Sequence, residues 1–334
     1  MNHSYTQTVA MLITVILCII IISSCSAVAR PGNVTEVSVG QLSEDVGGEP
    51  AAPVSTDAES TGDTIPETTP EVTTADETTV PDTTSDETTA NKDETDEPQP
   101  KATVKNMLAA ALEPVGRCLY VWGGGWNEED TGAGVDAMTL GASPRWLEFF
   151  GENGRDYDYH DTRYQIHDGL DCSGYIGYVT YQAFGEAYSD NGYVFKSGRI
   201  TEEFRDLFGG VVTNKSNISE YQPCDIMGKS GHAYIVIGQC SDGSVLFMHA
   251  SPPAVSLCGT PSENGKTESE AVRLAAKYMS KYRPESYEKF DTCSRGMSYL
   301  TDYDQYRWST ETLADPDGYR NMSVEEILAD LFGE

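Results

Sequence analysis

The sequence predicts an α+β domain. Stretches with helical apolar spacing come before β-rich stretches, two of those β-rich stretches flank a turn signal, and no segment repeats along the chain. Taken in order, residues 104–117 place apolar side chains at Met107, Leu108, Ala111, Leu112 and Val115, a helical stripe interrupted by Pro114. Tyr120-Val121-Trp122-Gly123-Gly124-Gly125 follows, where glycines permit close backbone approach. Residues 127–169 are polar and rich in Tyr and Asp, with one helical piece over 144–150. Residues 172–184 read as a buried helix with Tyr175, Ile176, Val179 and Ala183 on one face and Asp171 at its N-cap. Residues 232–238 and 245–249 are β-rich and separated by Ser241-Asp242-Gly243, so they are expected to pair as a hairpin, with a third short strand over 223–227. Thr267-x-x-Glu270 reads as a capping box opening a helix that stops before Pro284. Ser323-x-x-Glu326 opens a last short helix after the Asp315-Pro316-Asp317-Gly318 turn.

Not all of the 334 residues belong to that domain. Residues 10–22 are one apolar run broken by Thr14 and Cys18, long enough for the core of a secretory signal and short for a membrane span. The run ends in Ile22-Ser23-Ser24-Cys25, which resembles the lipobox of bacterial lipoproteins and implies acylation at Cys25. An ordinary cleaved signal and an uncleaved anchor are the alternatives, and all three place the rest of the chain outside the cytoplasm. Residues 1–25 are therefore expected to be a lipoprotein-type signal and 26–100 a disordered, acidic Thr/Pro/Glu-rich tether. From 31 to 100 there is no aromatic residue and no cysteine, and too little apolar surface to offset chain entropy. Acidic residues number 18 there against Lys92 alone, so self-repulsion extends the segment. The domain, 101–334, holds 35 acidic and 20 basic residues, which argues against a nucleic-acid or anionic membrane partner. Membrane contact is expected only through the lipid.

Apart from Cys18 and Cys25, the cysteines are Cys118, Cys172, Cys224, Cys240, Cys258 and Cys293. The absence of C-x-x-C spacing leaves a structural zinc site without support. In an exported protein six cysteines are expected in disulfides, with at least two unpaired if one is a catalytic thiol.

A thiol attacks a carbonyl as thiolate, and the first turn of a helix favours negative charge. Cys172 occupies that place in Asp171-Cys172-Ser173-Gly174, although on its own the position also fits a buried structural cysteine. The thiol needs a general base, and the domain offers His160, His167, His232 and His249. If Cys240 pairs with Gly243 across a two-residue turn, His249 falls opposite Tyr234, on the face of His232 and diagonal to it, placed to orient its ring. His160 and His167 lie among Asp156, Asp158, Asp161 and Asp168, but their spacing matches no helical face, so solvated or capping roles are expected rather than a metal site. Trp122 and Trp126, beside glycines, are expected in the core or a cleft wall rather than as a sugar platform.

Tyr120-Val121-Trp122-Gly123-Gly124, Asp171-Cys172-Ser173-Gly174-Tyr175, Pro223-Cys224-Asp225-Ile226-Met227, Gly231-His232-Ala233-Tyr234-Ile235-Val236-Ile237-Gly238 and His249-Ala250-Ser251 occur in that order. This succession resembles the NlpC-type cell-wall cysteine peptidases, which have a papain-like fold. The resemblance implies Cys172 as nucleophile, His232 as base and His249 as orienting residue. It further implies Asp171 and Ser173 binding the free amino end of a peptidoglycan stem peptide, Tyr120 lining the cleft, and cleavage at D-γ-glutamyl-diamino acid bonds with no cofactor or metal. An amidase or acyltransferase using the same three residues is an alternative, as is a non-catalytic surface-binding lipoprotein. The chain departs from the family pattern in three places. Residues 127–169 look like an insertion over the cleft, Cys224 stands where a glycine is usual, and the extension from about 252 lies outside the resemblance.

Overall fold

The computed structural model describes residues 102–334 except Thr292. The signal segment, Cys25 and the tether lie outside the described residues. Helix α1 (Val104–Leu112) is capped by the Thr103 hydroxyl and buries the expected stripe. It ends two residues before Pro114, which disfavours helix in the residue ahead of it. Strand β1 (Leu119–Tyr120), helix α2 (Pro144–Glu152) and strand β2 (Gly169–Leu170) lead to helix α3 (Cys172–Phe184), the bounds expected from sequence. Then come α4 (Ile200–Phe208), β3 (Val211–Thr213), β4 (Ile226–Lys229), β5 (His232–Gln239), β6 (Val245–Ser251) and β7 (Ala254–Gly259). The chain closes with α5 (Glu270–Tyr282), α6 (Pro284–Phe290), α7 (Ser298–Thr301), β8 (Asp304–Arg307) and α8 (Val324–Phe332).

The strands form one eight-stranded sheet in the order β2-β1-β7-β6-β5-β4-β8-β3. β1 and β2 run parallel and every other neighbouring pair antiparallel. The domain is thus α+β. Helix α3 is buried along every face except at Gln182 and packs against α1, β5 and β6. Both faces of β5 are covered, which is why the strand reads as a continuous apolar run. Ala233, Ile235 and Ile237 join the core around α3, while Tyr234 and Val236 join Met227, Phe247, Cys258 and Tyr303 on the opposite face.

The hairpin register carries a compensation. Cys240 N–H donates to Ser244 O at 2.7 Å and Gly243 takes φ of +78°, so the turn is one residue longer than expected. A bulge between Val236 and Gly238 removes that offset, and Ile235 faces Met248. Continuing that pairing sets Tyr234 opposite His249, as the sequence predicts but by a different route.

The segment beyond 252 is an integral part of the sheet. β7 covers β6, and β8 inserts between β4 and β3. Arg307 of β8 holds the buried Asp225 through Nε to Oδ1 at 3.0 Å and Nη2 to Oδ2 at 2.8 Å. Two local expectations change. Helix α5 is capped by Ser269, whose oxygen accepts from Val272 N–H, rather than by Thr267, while Ser323 and Glu326 do form a capping box. Among the described residues all six cysteines are buried and none is joined in a disulfide. Cys118, Cys224, Cys240 and Cys293 sit in the apolar core as small hydrophobes.

Candidate active site

The head of α3 is held by close backbone approach. The Asp171 carboxylate accepts from Gly174 N–H at 2.7 Å and from the Ser173 hydroxyl at 3.0 Å, capping the helix that presents Cys172. Trp126 Nε1–H donates to Ser173 Oγ at 3.2 Å, and Asp171 N–H donates to Gly124 O at 3.0 Å, so the glycine-rich loop is tied to the helix start. A Cβ on Gly174 would lie 1.9 Å from Gly124 O, and Gly125 needs φ of +88°. These contacts are the reason glycine is required at both positions. Burial raises the Asp171 carboxyl to about 7 against the pull of these hydrogen bonds. Cys172, in the first turn, is 7% exposed.

His232 opens β5, and its Nε2 lies 2.9 Å from Nδ1 of His249 on β6, with the rings at 77°. His232 is half-buried and His249 fully buried. Desolvation, with the Arg295 guanidinium adding to it, lowers His232 to about 3 and holds His249 well below the usual imidazole range. Both rings are therefore neutral at rest. Tyr299 and Tyr303 enclose His232, with ring centroids 5.6 Å and 6.1 Å away. Tyr303 is also within electrostatic range of Cys172. The Tyr299 hydroxyl reaches 3.5 Å from His249 Nδ1, and Cys258 Sγ lies 3.5 Å from His249 Nε2.

The residues singled out in the sequence thus fall into two clusters. Asp171, Cys172 and Ser173 share the helix head, and His232 and His249 share a hydrogen bond. Tyr120 is buried against Tyr159 of the 127–169 segment, edge to face at 5.3 Å. That segment packs on the Tyr120 strand, with the Tyr157 hydroxyl donating to Tyr120 O at 2.7 Å and Arg163 stacked over Trp122. Trp126 is core. His160 pairs with Asp158 at 2.6 Å and His167 with Asp136 at 2.5 Å, each on the surface. Among the described residues no group of three or more His, Cys, Asp or Glu is placed to hold a metal ion.

No family model, curated protein or solved structure matches the chain.

Sequence reasoning missed Cys258, Arg295, Tyr299 and Tyr303, all of them in the segment beyond 252. The spacing of Tyr299, Tyr303 and Tyr306 was the available signal, three aromatic residues within eight positions of an otherwise polar stretch. Cys224 takes φ of +69°, a backbone conformation that favours glycine.

Proposed function

We propose that the chain is a papain-like thiol peptidase of the NlpC type that cuts peptidoglycan stem peptides at D-γ-glutamyl-diamino acid bonds. In this reading it acts outside the cytoplasm, anchored through lipid on Cys25. The observation that carries the reading is the 2.9 Å contact between His232 Nε2 and His249 Nδ1, in a chain that also presents a cysteine in the first turn of a helix. With Nε2 engaged by His249, the nitrogen of His232 left for the thiol is Nδ1. His232 Nδ1 takes the Cys172 proton as the sulfur attacks the scissile carbonyl carbon. Backbone N–H groups at the helix head stabilise the oxyanion. The new imidazolium passes its proton to the leaving amine, and water then releases the acyl group from sulfur.

Holding His232 neutral suits a base that accepts a proton only as the thiolate forms. Asp171 caps the helix first, and its remaining acceptor capacity serves the substrate amino group. The test is to incubate the full chain and its Cys172→Ala variant with defined muropeptides and identify products by mass spectrometry. Fragments cut after D-glutamate, absent with the variant, are expected. Intact substrate in both, with folded protein, would overturn the reading, and transfer or deamidation products would move the triad to the acyltransferase or amidase alternative.

A further inference from the structure

The hydrogen bonds of the histidine pair have a direction, and a residue outside the proposed triad sets it. A neutral imidazole has one donor nitrogen and one acceptor nitrogen. For His232 to receive a proton at Nδ1, its own proton must sit on Nε2 and be donated to His249 Nδ1. His249 then carries its proton on Nε2, the atom 3.5 Å from Cys258 Sγ. If the Cys258 thiol donated instead, every proton in the chain would move by one place and His232 would present an N–H to Cys172, with no lone pair to act as base.

We infer that Cys258 is a positioning residue, its sulfur accepting the Nε2 proton of His249 and so fixing the tautomer that makes His232 a base. The inference rests on the peptidase reading for its catalytic meaning, but the tautomer itself does not depend on any substrate. One neighbouring group favours this direction. The Tyr299 hydroxyl, which accepts a hydrogen bond from Arg295, lies 3.5 Å from His249 Nδ1, and a proton it places there needs Nδ1 as an acceptor that shares the lone pair engaged by His232 Nε2–H. Cys258 is not itself a nucleophile toward substrate, because it is fully buried and burial raises its thiol above the ordinary value. It lies on β7, in register with Phe247 of β6, two residues from the position of β6 that carries His249.

The test uses the full chain labelled with nitrogen-15 in histidine, with tautomers read from long-range nitrogen–proton correlations. Wild type is expected to show His249 protonated at Nε2. Cys258→Ala should shift that population toward Nδ1–H, and kcat on a cleaved muropeptide should fall at least about tenfold with KM unchanged, since a wrong tautomer removes the base without touching binding. Cys258→Ser retains an acceptor and should hold the Nε2–H form, which gives a second measurement if the alanine variant does not fold. His249 found as Nδ1–H in wild type or in the serine variant overturns the inference, as does an unchanged tautomer in Cys258→Ala. A wild-type chain that cuts no muropeptide would instead refute the peptidase reading, and the tautomer measurement would still decide the role of Cys258.

Discussion

Replacing Arg307 by Met strips the counter-charge from Asp225 while keeping most of the apolar stem. Asp225 is 1% exposed, and its carboxylate is held by the two Arg307 bonds, by Gln305 Nε2 at 2.9 Å and by Gln222 N–H at 2.7 Å. Breaking a buried pair by removing one partner costs about 3–5 kcal/mol, and the surviving Gln305 and Gln222 donors place this case near 3. The lost Arg307–Glu220 contact lies at the rim and adds little. For a domain of this size such a loss lowers Tm by about 10 °C. Burial already raises the Asp225 carboxyl to about 6 with Arg307 beside it. Without the guanidinium it rises further above its unfolded value, so the folded variant keeps a proton that the unfolded chain releases, and the deficit grows as pH rises from about 4 to 8. Urea unfolding at pH 4.5 and pH 8 should show a small loss at the first and the full loss at the second. The double variant Arg307→Met, Asp225→Asn should recover most of the stability at pH 8. Equal losses at both pH values, or a double variant no better than the single, would refute the argument.

The remaining expectations concern the candidate site. Cys172→Ala should abolish turnover with unchanged Tm, His232→Ala should be nearly as severe, and His249→Asn should keep more activity than His249→Ala, because an amide can still hold the His232 ring; equal rates for the two His249 variants would remove its orienting role. Gly174→Ala should cost about 3 kcal/mol or more in urea unfolding, since the neighbour at 1.9 Å is a backbone carbonyl; wild-type stability would mean that the glycine contact is not as tight as described. Between pH 4.5 and 6 the folded chain keeps protons on Asp171 and Asp225, which the unfolded chain releases, and lacks protons on His232 and His249, which the unfolded chain binds. These opposite slopes offset, so His232→Gln should make stability fall with rising pH and Asp171→Asn should make it rise, each by up to about 1 kcal/mol per pH unit. Two variants that both follow the wild-type slope would contradict the burial of these groups.

The parts of the fold legible in the sequence were those set by neighbours along the chain. The bounds of α3 follow from an Asp cap and an apolar run, and the cap of α8 follows from Ser323 and Glu326. The diagonal of His232 and His249 was also readable, although the turn and the bulge each departed from the simple hairpin and cancelled. β7 was not seen because Pro252-Pro253 reads as a break and the strand, buried on both faces, shows no alternation. β8 escaped because four residues with Asp and Arg at their ends carry no strand signal, their place being set by Asp225 some eighty positions earlier. The expected disulfides rested on cell compartment alone, and no pairing was legible because the folded positions of six scattered thiols depend on the whole topology. Tyr299 and Tyr303 reach the histidines across about fifty residues or more, a separation at which periodicity says nothing.

The insertion of β8 between β4 and β3 bears on the order in which the molecule can be completed. Helix α3 and strands β4 to β6 occupy residues 172–251, so the cysteine and both histidines exist in the chain well before their aromatic cover is synthesised. Joining β8 to β4 closes a loop of roughly eighty residues, an entropic step that the Asp225–Arg307 pair rewards only at the end. A chain interrupted before residue 304 leaves the β4 edge open and Asp225 without its cation. The two histidines thus depend on a late part of the chain for their cover, and a copy that ends before Tyr299 lacks the rings packed on them.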